Sequence, residues 1–163
     1  ALHDALTGLA NRALFFDRLQ SAIAVAHRKG GAFSLLFLDL DDFKPINDHY
    51  GHEAGDCALR AVAERLNECV RESDTVARIG GDEFALLIND TAEPAAAATV
   101  AEKIIAALIR PLPIEGCRHL LGCSIGIALH PRDGEDVGSL MRHADAAMYG
   151  AKRLGKNRYL MPK

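Results

Sequence analysis

Apolar and polar positions along the chain fall into alternating helical and extended stretches. Ala1–Leu9 has no clear period and carries Thr7-Gly8, so it reads as an ordered loop. Asn11 is placed to cap a helix whose apolar face is Leu14, Phe15, Leu19, Ala22, Ile23 and Ala26, and Lys29-Gly30-Gly31 stops it. Phe33–Leu38 is continuously apolar, as a central buried strand is. Phe43–Asp48 suggests a short helical turn, Tyr50–Asp56 a loop and helix start, and Ala58, Leu59, Val62, Leu66 and Val70 a buried helical face. Two apolar runs, Thr75–Ile79 and Phe84–Ile88, flank Gly80-Gly81-Asp82-Glu83 and predict a β-hairpin with a tight turn. Pro94 opens an alanine-rich helix to about Arg110, with Val100, Ile104, Ala107 and Leu108 as its stripe, ended by Pro111 and Pro113. Ile114–Glu115 and Leu120–Leu129 read as strands around a turn at Gly116. The last helix, about Val137 to Leu154, buries Leu140, Ala144, Ala147 and Met148; Gly155 ends it, and Arg158–Leu160 reads as an edge strand.

Strand, helix, strand, strand, helix, strand, with additions, is an α+β ferredoxin-like plan. A crossover helix makes the first two strands parallel, so their C-terminal ends share one edge of the sheet. With the third strand between them, Asp39 at the end of the first strand meets the turn acids Asp82 and Glu83. Neighbouring side chains on an extended backbone point to opposite faces, so only one turn acid need face Asp39. Asp41 or Asp42 is expected to cap the short helix that follows.

The chain has 163 residues, 49% of them hydrophobic, which predicts one globular domain over residues 1–163. No apolar run approaches the ~20 residues of a membrane-spanning helix and no signal-peptide pattern opens the chain, so a cytoplasmic segment without membrane contact is expected, whether or not the whole protein is anchored. A formal charge of −3 argues against binding polymeric nucleic acid, and leaves a small anionic ligand open. Cys57, Cys69, Cys117 and Cys123 show neither paired nor His-matched spacing and read as reduced thiols.

Convergent carboxylates repel one another and call for a cation. An all-oxygen set, with the Leu40 carbonyl as a further donor, suits Mg²⁺, with Mn²⁺ as an alternative, completed by water and substrate phosphates. Phosphoryl or nucleotidyl transfer is the chemistry this favours. The glycines of the turn leave room for a bulky substrate.

Gly80-Gly81-Asp82-Glu83-Phe84 is an intact GGDEF signature, and the chain resembles the diguanylate cyclase domains that carry it. The resemblance extends to Asp4–Arg12, Asp39–Asp48, Gly51–Asp56 and Ala144–Arg158, in order and over nearly the whole length. It implies a palm-type, nucleotidyl-cyclase-like sheet flanked by helices, condensing two GTP into cyclic di-GMP with release of two pyrophosphates. Asp39, the Leu40 carbonyl and Asp82 resemble the metal ligands, and Asp82 or Glu83 the group that deprotonates the attacking 3′-hydroxyl. Asn47 and Asp56 resemble guanine readers, an amide for guanine's acceptors and a carboxylate for its donors. His52 resembles a position lining the nucleotide pocket. Phosphates are expected against N–H groups near Phe43 and Lys44, and under Lys152 and Lys156, spaced i and i+4 as on one helix face. Lys156 departs from relatives with Arg there, which costs bidentate geometry rather than charge. Arg71-Glu72-Ser73-Asp74 has the spacing of the family's product-inhibition site. A symmetric product from two half-sites implies a homodimer, at least transiently. Starting at the family's first motif, the chain is expected to be a catalytic piece of a longer protein. Two other readings stand beside this one: a non-catalytic module that binds GTP or cyclic di-GMP, and a cyclase making a different cyclic nucleotide.

Overall fold

The structure is a computed structural model that describes residues 1–91 and 93–163. In chain order the elements are α1 (Arg12–Lys29), β1 (Phe33–Leu40), α2 (Lys44–Tyr50), α3 (His52–Glu68), β2 (Thr75–Gly80), β3 (Glu83–Asn89), α4 (Pro94–Leu108), β4 (Cys123–His130), α5 (Val137–Arg153) and β5 (Arg158–Leu160). The sheet runs β2-β3-β1-β4-β5. β1 is antiparallel to both β3 and β4, β2 is antiparallel to β3, and β5 lies parallel to its neighbour β4. This is the ferredoxin-like order with an added edge strand. β3 lies between β1 and β2, which therefore run the same way and end at the same edge.

The unbroken apolar run of β1 follows from burial on both faces. Leu36, Leu38 and Leu40 pack in one layer with Leu59, Val62 and Leu66 of α3 and Ile104 and Leu108 of α4. Phe33, Leu35 and Phe37 pack in the other with Leu14, Phe15 and Leu19 of α1 and Leu140, Ala144 and Met148 of α5. Asn11 caps α1 as expected, its Oδ1 accepting from the Leu14 N–H at 3.0 Å. α5 presses directly on β4, since a Cβ at Gly126 would overlap the backbone at Ala144 and Met148. That contact fixes where the C-terminal end of α5 delivers its side chains.

Three expectations change. Ile114–Glu115 is not a strand, and β4 begins only at Cys123. The segment closes on itself, with the Ile114 N–H on the Leu112 carbonyl (2.8 Å) and the Cys117 N–H on the Ile114 carbonyl (3.1 Å), while Pro111 and Pro113 have no N–H to give a ladder. Neither Asp41 nor Asp42 caps α2, which starts after Phe43 without a side-chain cap. Asp42 takes a left-handed φ of 55° in the turn, and Asp41 points into the protein. Lys156 is not on α5: Gly155 (φ 122°) ends the helix, and the N–H groups of Gly155 and Lys156 return to the Lys152 and Ala151 carbonyls at 3.3 and 3.0 Å, a Schellman closure.

Candidate active site

The acids converge through the sheet register. Asp39 on β1 lies opposite Glu83 on β3, and the Leu40 N–H donates to the Asp82 carbonyl at 3.1 Å, so the hairpin turn is fastened to the end of β1. Asp39 is pushed up to about 6, first by burial, then by the Asp82 charge; Lys152 opposes this, and Glu83 and Asp41 add to it.

Beside the turn a cavity of about 330 Å³ is lined by Phe43, Lys44, Asn47, His52, Asp56, Leu59, Arg78, Gly81 and Asp82. Both expected guanine readers, His52, Phe43, Lys44 and Asp82 thus share one space. Gly55 makes room for Asn47, because a Cβ there would overlap the Asn47 side chain. Asp56 lies inside α3, beyond its first turn, and caps nothing. Among the described residues neither the Asn47 amide nor the Asp56 carboxylate has a protein hydrogen-bond partner. Lys44, with a side chain 87% exposed, is 3.6 Å from Asp48.

The two C-terminal lysines reach the same edge by different routes. Lys152 Nζ lies 3.1 Å from the Leu40 carbonyl, 3.1 Å from Asp41 Oδ1 and 3.6 Å from Asp39 Oδ2. Lys156 Nζ donates to Asp42 Oδ1 at 2.9 Å and holds that carboxyl below its usual range. The Schellman closure, rather than a shared helix face, brings Lys156 to the turn.

Sequence reasoning missed two groups. Asp41 is a buried hub: Oδ1 accepts from Ser124 Oγ at 2.7 Å as well as from Lys152, and Oδ2 accepts from the Asn157 N–H at 2.8 Å. Arg78 braces the turn, donating through Nε to the Gly81 carbonyl at 2.9 Å and through Nη1 to Asp4 Oδ1 at 3.3 Å. Burial works against the Asp4 charge, but the bonds from Thr7 and Arg78 outweigh it and keep the carboxyl below its ordinary value. A charged residue inside the otherwise apolar run Thr75–Ile79 was the available signal for Arg78.

Arg71 and Asp74 lie at the other end of β2, roughly 20 Å from the turn by strand length. The Asp74 side chain is 2% exposed and accepts from the Arg71 N–H at 2.9 Å and the Asn89 N–H at 3.0 Å. The Arg71 guanidinium is 58% exposed and also donates to the Asn89 carbonyl. A cavity of about 490 Å³ adjoins this corner, with Arg18, Glu72, Asp74 and Asn89 in its wall.

Among the described residues no group of three or more His, Cys, Asp and Glu side chains is arranged to hold a metal ion. Two carboxylates and a carbonyl still fit a hard divalent cation that takes further oxygens from its substrate, and an ammonium already rests on two of those donors.

A ferredoxin-like sheet with acids at the shared strand end and a cavity beside them defines a palm-type nucleotidyl-cyclase fold. The family model described as "Diguanylate cyclase, GGDEF domain" matches residues 1–158, and the chain belongs to that family. It is 53% identical over 98% of its length to the bifunctional diguanylate cyclase/cyclic di-GMP phosphodiesterase MucR of Pseudomonas aeruginosa, covering 23% of that protein. It is 45% identical over 94% of its length to the diguanylate cyclase TpbB of the same species, covering 35%. The chain therefore spans about a quarter to a third of these curated relatives. The solved GGDEF domain of TpbB superposes with a TM-score of 0.94 at 42% identity, covering 99% of this chain and 94% of that one. The GGDEF domain of DgcB from Caulobacter crescentus, solved in complex with c-di-GMP, gives 0.90 at 36% identity and covers 99% and 95%. No helix of the described residues is long and apolar enough to cross a membrane.

Proposed function

We propose that residues 1–163 form one GGDEF catalytic domain of a longer protein and act as a diguanylate cyclase, each copy holding one GTP. Two copies facing each other join their nucleotides into cyclic di-GMP. The observation that carries this reading is that Asp39 feels the Asp82 charge at the end of β1, beside the cavity lined by Asn47, Asp56 and Asp82.

The Asn47 amide and the Asp56 carboxylate, both without hydrogen-bond partners among the described residues, read the guanine edge, and His52 and Leu59 line the pocket around it. Lys152, Lys156 and the N–H groups at Phe43 and Lys44 take the phosphates. Asp39, the Leu40 carbonyl and Asp82 are the residues that would hold Mg²⁺ or Mn²⁺. Such an ion, when bound, lowers the pKa of the attacking oxygen and offsets charge on the phosphates. The 3′-hydroxyl of one GTP gives its proton to Asp82 or Glu83 and forms a bond to the α-phosphorus of the facing GTP. The bond from that phosphorus to the bridging oxygen breaks, and pyrophosphate leaves. The reciprocal step closes the ring and releases the second pyrophosphate. Arg78 and Asp4 keep the turn in place during both steps.

At the far corner Arg71 offers its exposed guanidinium to the product, and Asp74 fixes the loop that carries it.

The test is chromatography of products from a tethered pair of chains given GTP and Mg²⁺. Cyclic di-GMP that disappears in Asp82→Ala is expected. GTP bound without turnover at high protein concentration would instead make the domain a binding module.

A further inference from the structure

The Lys152 ammonium stands on two of the three donors proposed for the divalent ion, so its role rests on that metal assignment. It is 3.1 Å from the Leu40 carbonyl and 3.6 Å from Asp39 Oδ2. A magnesium ion on the Leu40 carbonyl would sit about 2.1 Å from that oxygen, so the two positive charges would lie within about 5 Å of each other. Both cannot keep these contacts without strong repulsion.

We propose that Lys152 is an internal counter-ion that occupies the cation position of the nucleotide-free chain, and that a divalent ion must displace it from Leu40 and Asp39, swinging it on Asp41 toward the phosphates. The parts needed are present. Asp41 is buried and held by Ser124 Oγ at 2.7 Å and the Asn157 N–H at 2.8 Å, so it keeps its place as an anchor. The Lys152 side chain is 23% exposed, which leaves its flexible stem a way out. α5 itself stays put, because its backbone presses on Gly126.

The consequence is coupling. Metal alone must evict an ammonium that has nowhere better to go, whereas GTP supplies phosphate oxygens for it. Metal and nucleotide then favour each other's binding, and by linkage the preference is mutual. The chain is thereby guarded against holding a divalent ion without its substrate.

The test is Mn²⁺ binding to the nucleotide-free chain, followed by the electron paramagnetic resonance of free Mn²⁺, in wild type, Lys152→Met and Asp82→Ala. Lys152→Met is expected to bind Mn²⁺ on the order of fivefold tighter or more, and to bind metal-free GTP more weakly. Unchanged or weaker Mn²⁺ affinity in Lys152→Met overturns the displacement. Mn²⁺ binding that ignores Asp82→Ala overturns the metal assignment, and the displacement with it. Acetylation of wild-type chain, read by peptide mass spectrometry, does not depend on a variant's folding. Mg²⁺ is expected to raise Lys152 labelling relative to the exposed Lys29 at the end of α1, and labelling that stays level or falls contradicts the proposal.

Discussion

Asp39, Asp41 and Asp42 are three like acids within four positions, and the fold gives each different work. Asp39 faces the turn acids, Asp41 is a buried hub, and Asp42 is an exposed partner of Lys156. Asp39 titrates near 6 against an ordinary 3.8, so the folded metal-free chain holds its proton more tightly than the unfolded chain does. The stability this gives is complete below the unfolded value and is lost as pH rises through about 6. Asp39→Asn should therefore stabilise the metal-free chain at pH 7.5 by on the order of 1–2 kcal/mol after allowance for partial exposure, seen as a higher Tm, leave its stability nearly unchanged near pH 3, and lower turnover at least ~100-fold. Thermal unfolding at both pH values and a product assay check this. At the other end of β2, Asp74→Ala leaves the N–H groups of Arg71 and Asn89 without their buried acceptor and should cost about 1–3 kcal/mol. Arg71→Ala should cost less stability and weaken cyclic di-GMP binding, which calorimetry separates from the melt. Asp39 could be singled out from sequence because it ends an apolar strand. The hub at Asp41 could not, because Ser124 and Asn157, its partners, lie 83 and 116 positions away.

At the scale of elements, strands buried on both faces were the most legible, since β1 and β3 read as unbroken apolar runs. The hairpin was legible from its glycines and flanking pattern. Ile114–Glu115 misled because apolar content there serves packing, Ile114 lying against the core, while two prolines and local turns remove it from any ladder. The lysine pair misled in another way: i and i+4 spacing describes a helix face only if no stop signal lies between, and Gly155 is such a signal. Gly155 has φ 122°, which an alanine takes only under strain. Gly155→Ala should cost about 1–2 kcal/mol and shift Lys156 from the turn, so that GTP affinity falls while the far corner keeps its affinity for cyclic di-GMP. Paired titrations with the two nucleotides check that separation.

At the scale of the whole molecule, each chain carries one acidic turn with a cavity beside it, while the proposed product joins two nucleotides. The ferredoxin-like plan was legible from element order, and its edge-sharing geometry followed from the crossover rule. The proposed facing of two copies rests instead on the symmetry of the proposed chemistry. A covalently tethered pair with one wild-type half and one Asp82→Ala half tests this directly. Given GTP and Mg²⁺, the pair should make one bond and stop, accumulating the linear dinucleotide and releasing one pyrophosphate per product, while the wild-type pair closes the ring. Cyclic di-GMP from the mixed pair at half the wild-type rate would contradict the account, because a single turn would then suffice for both bonds.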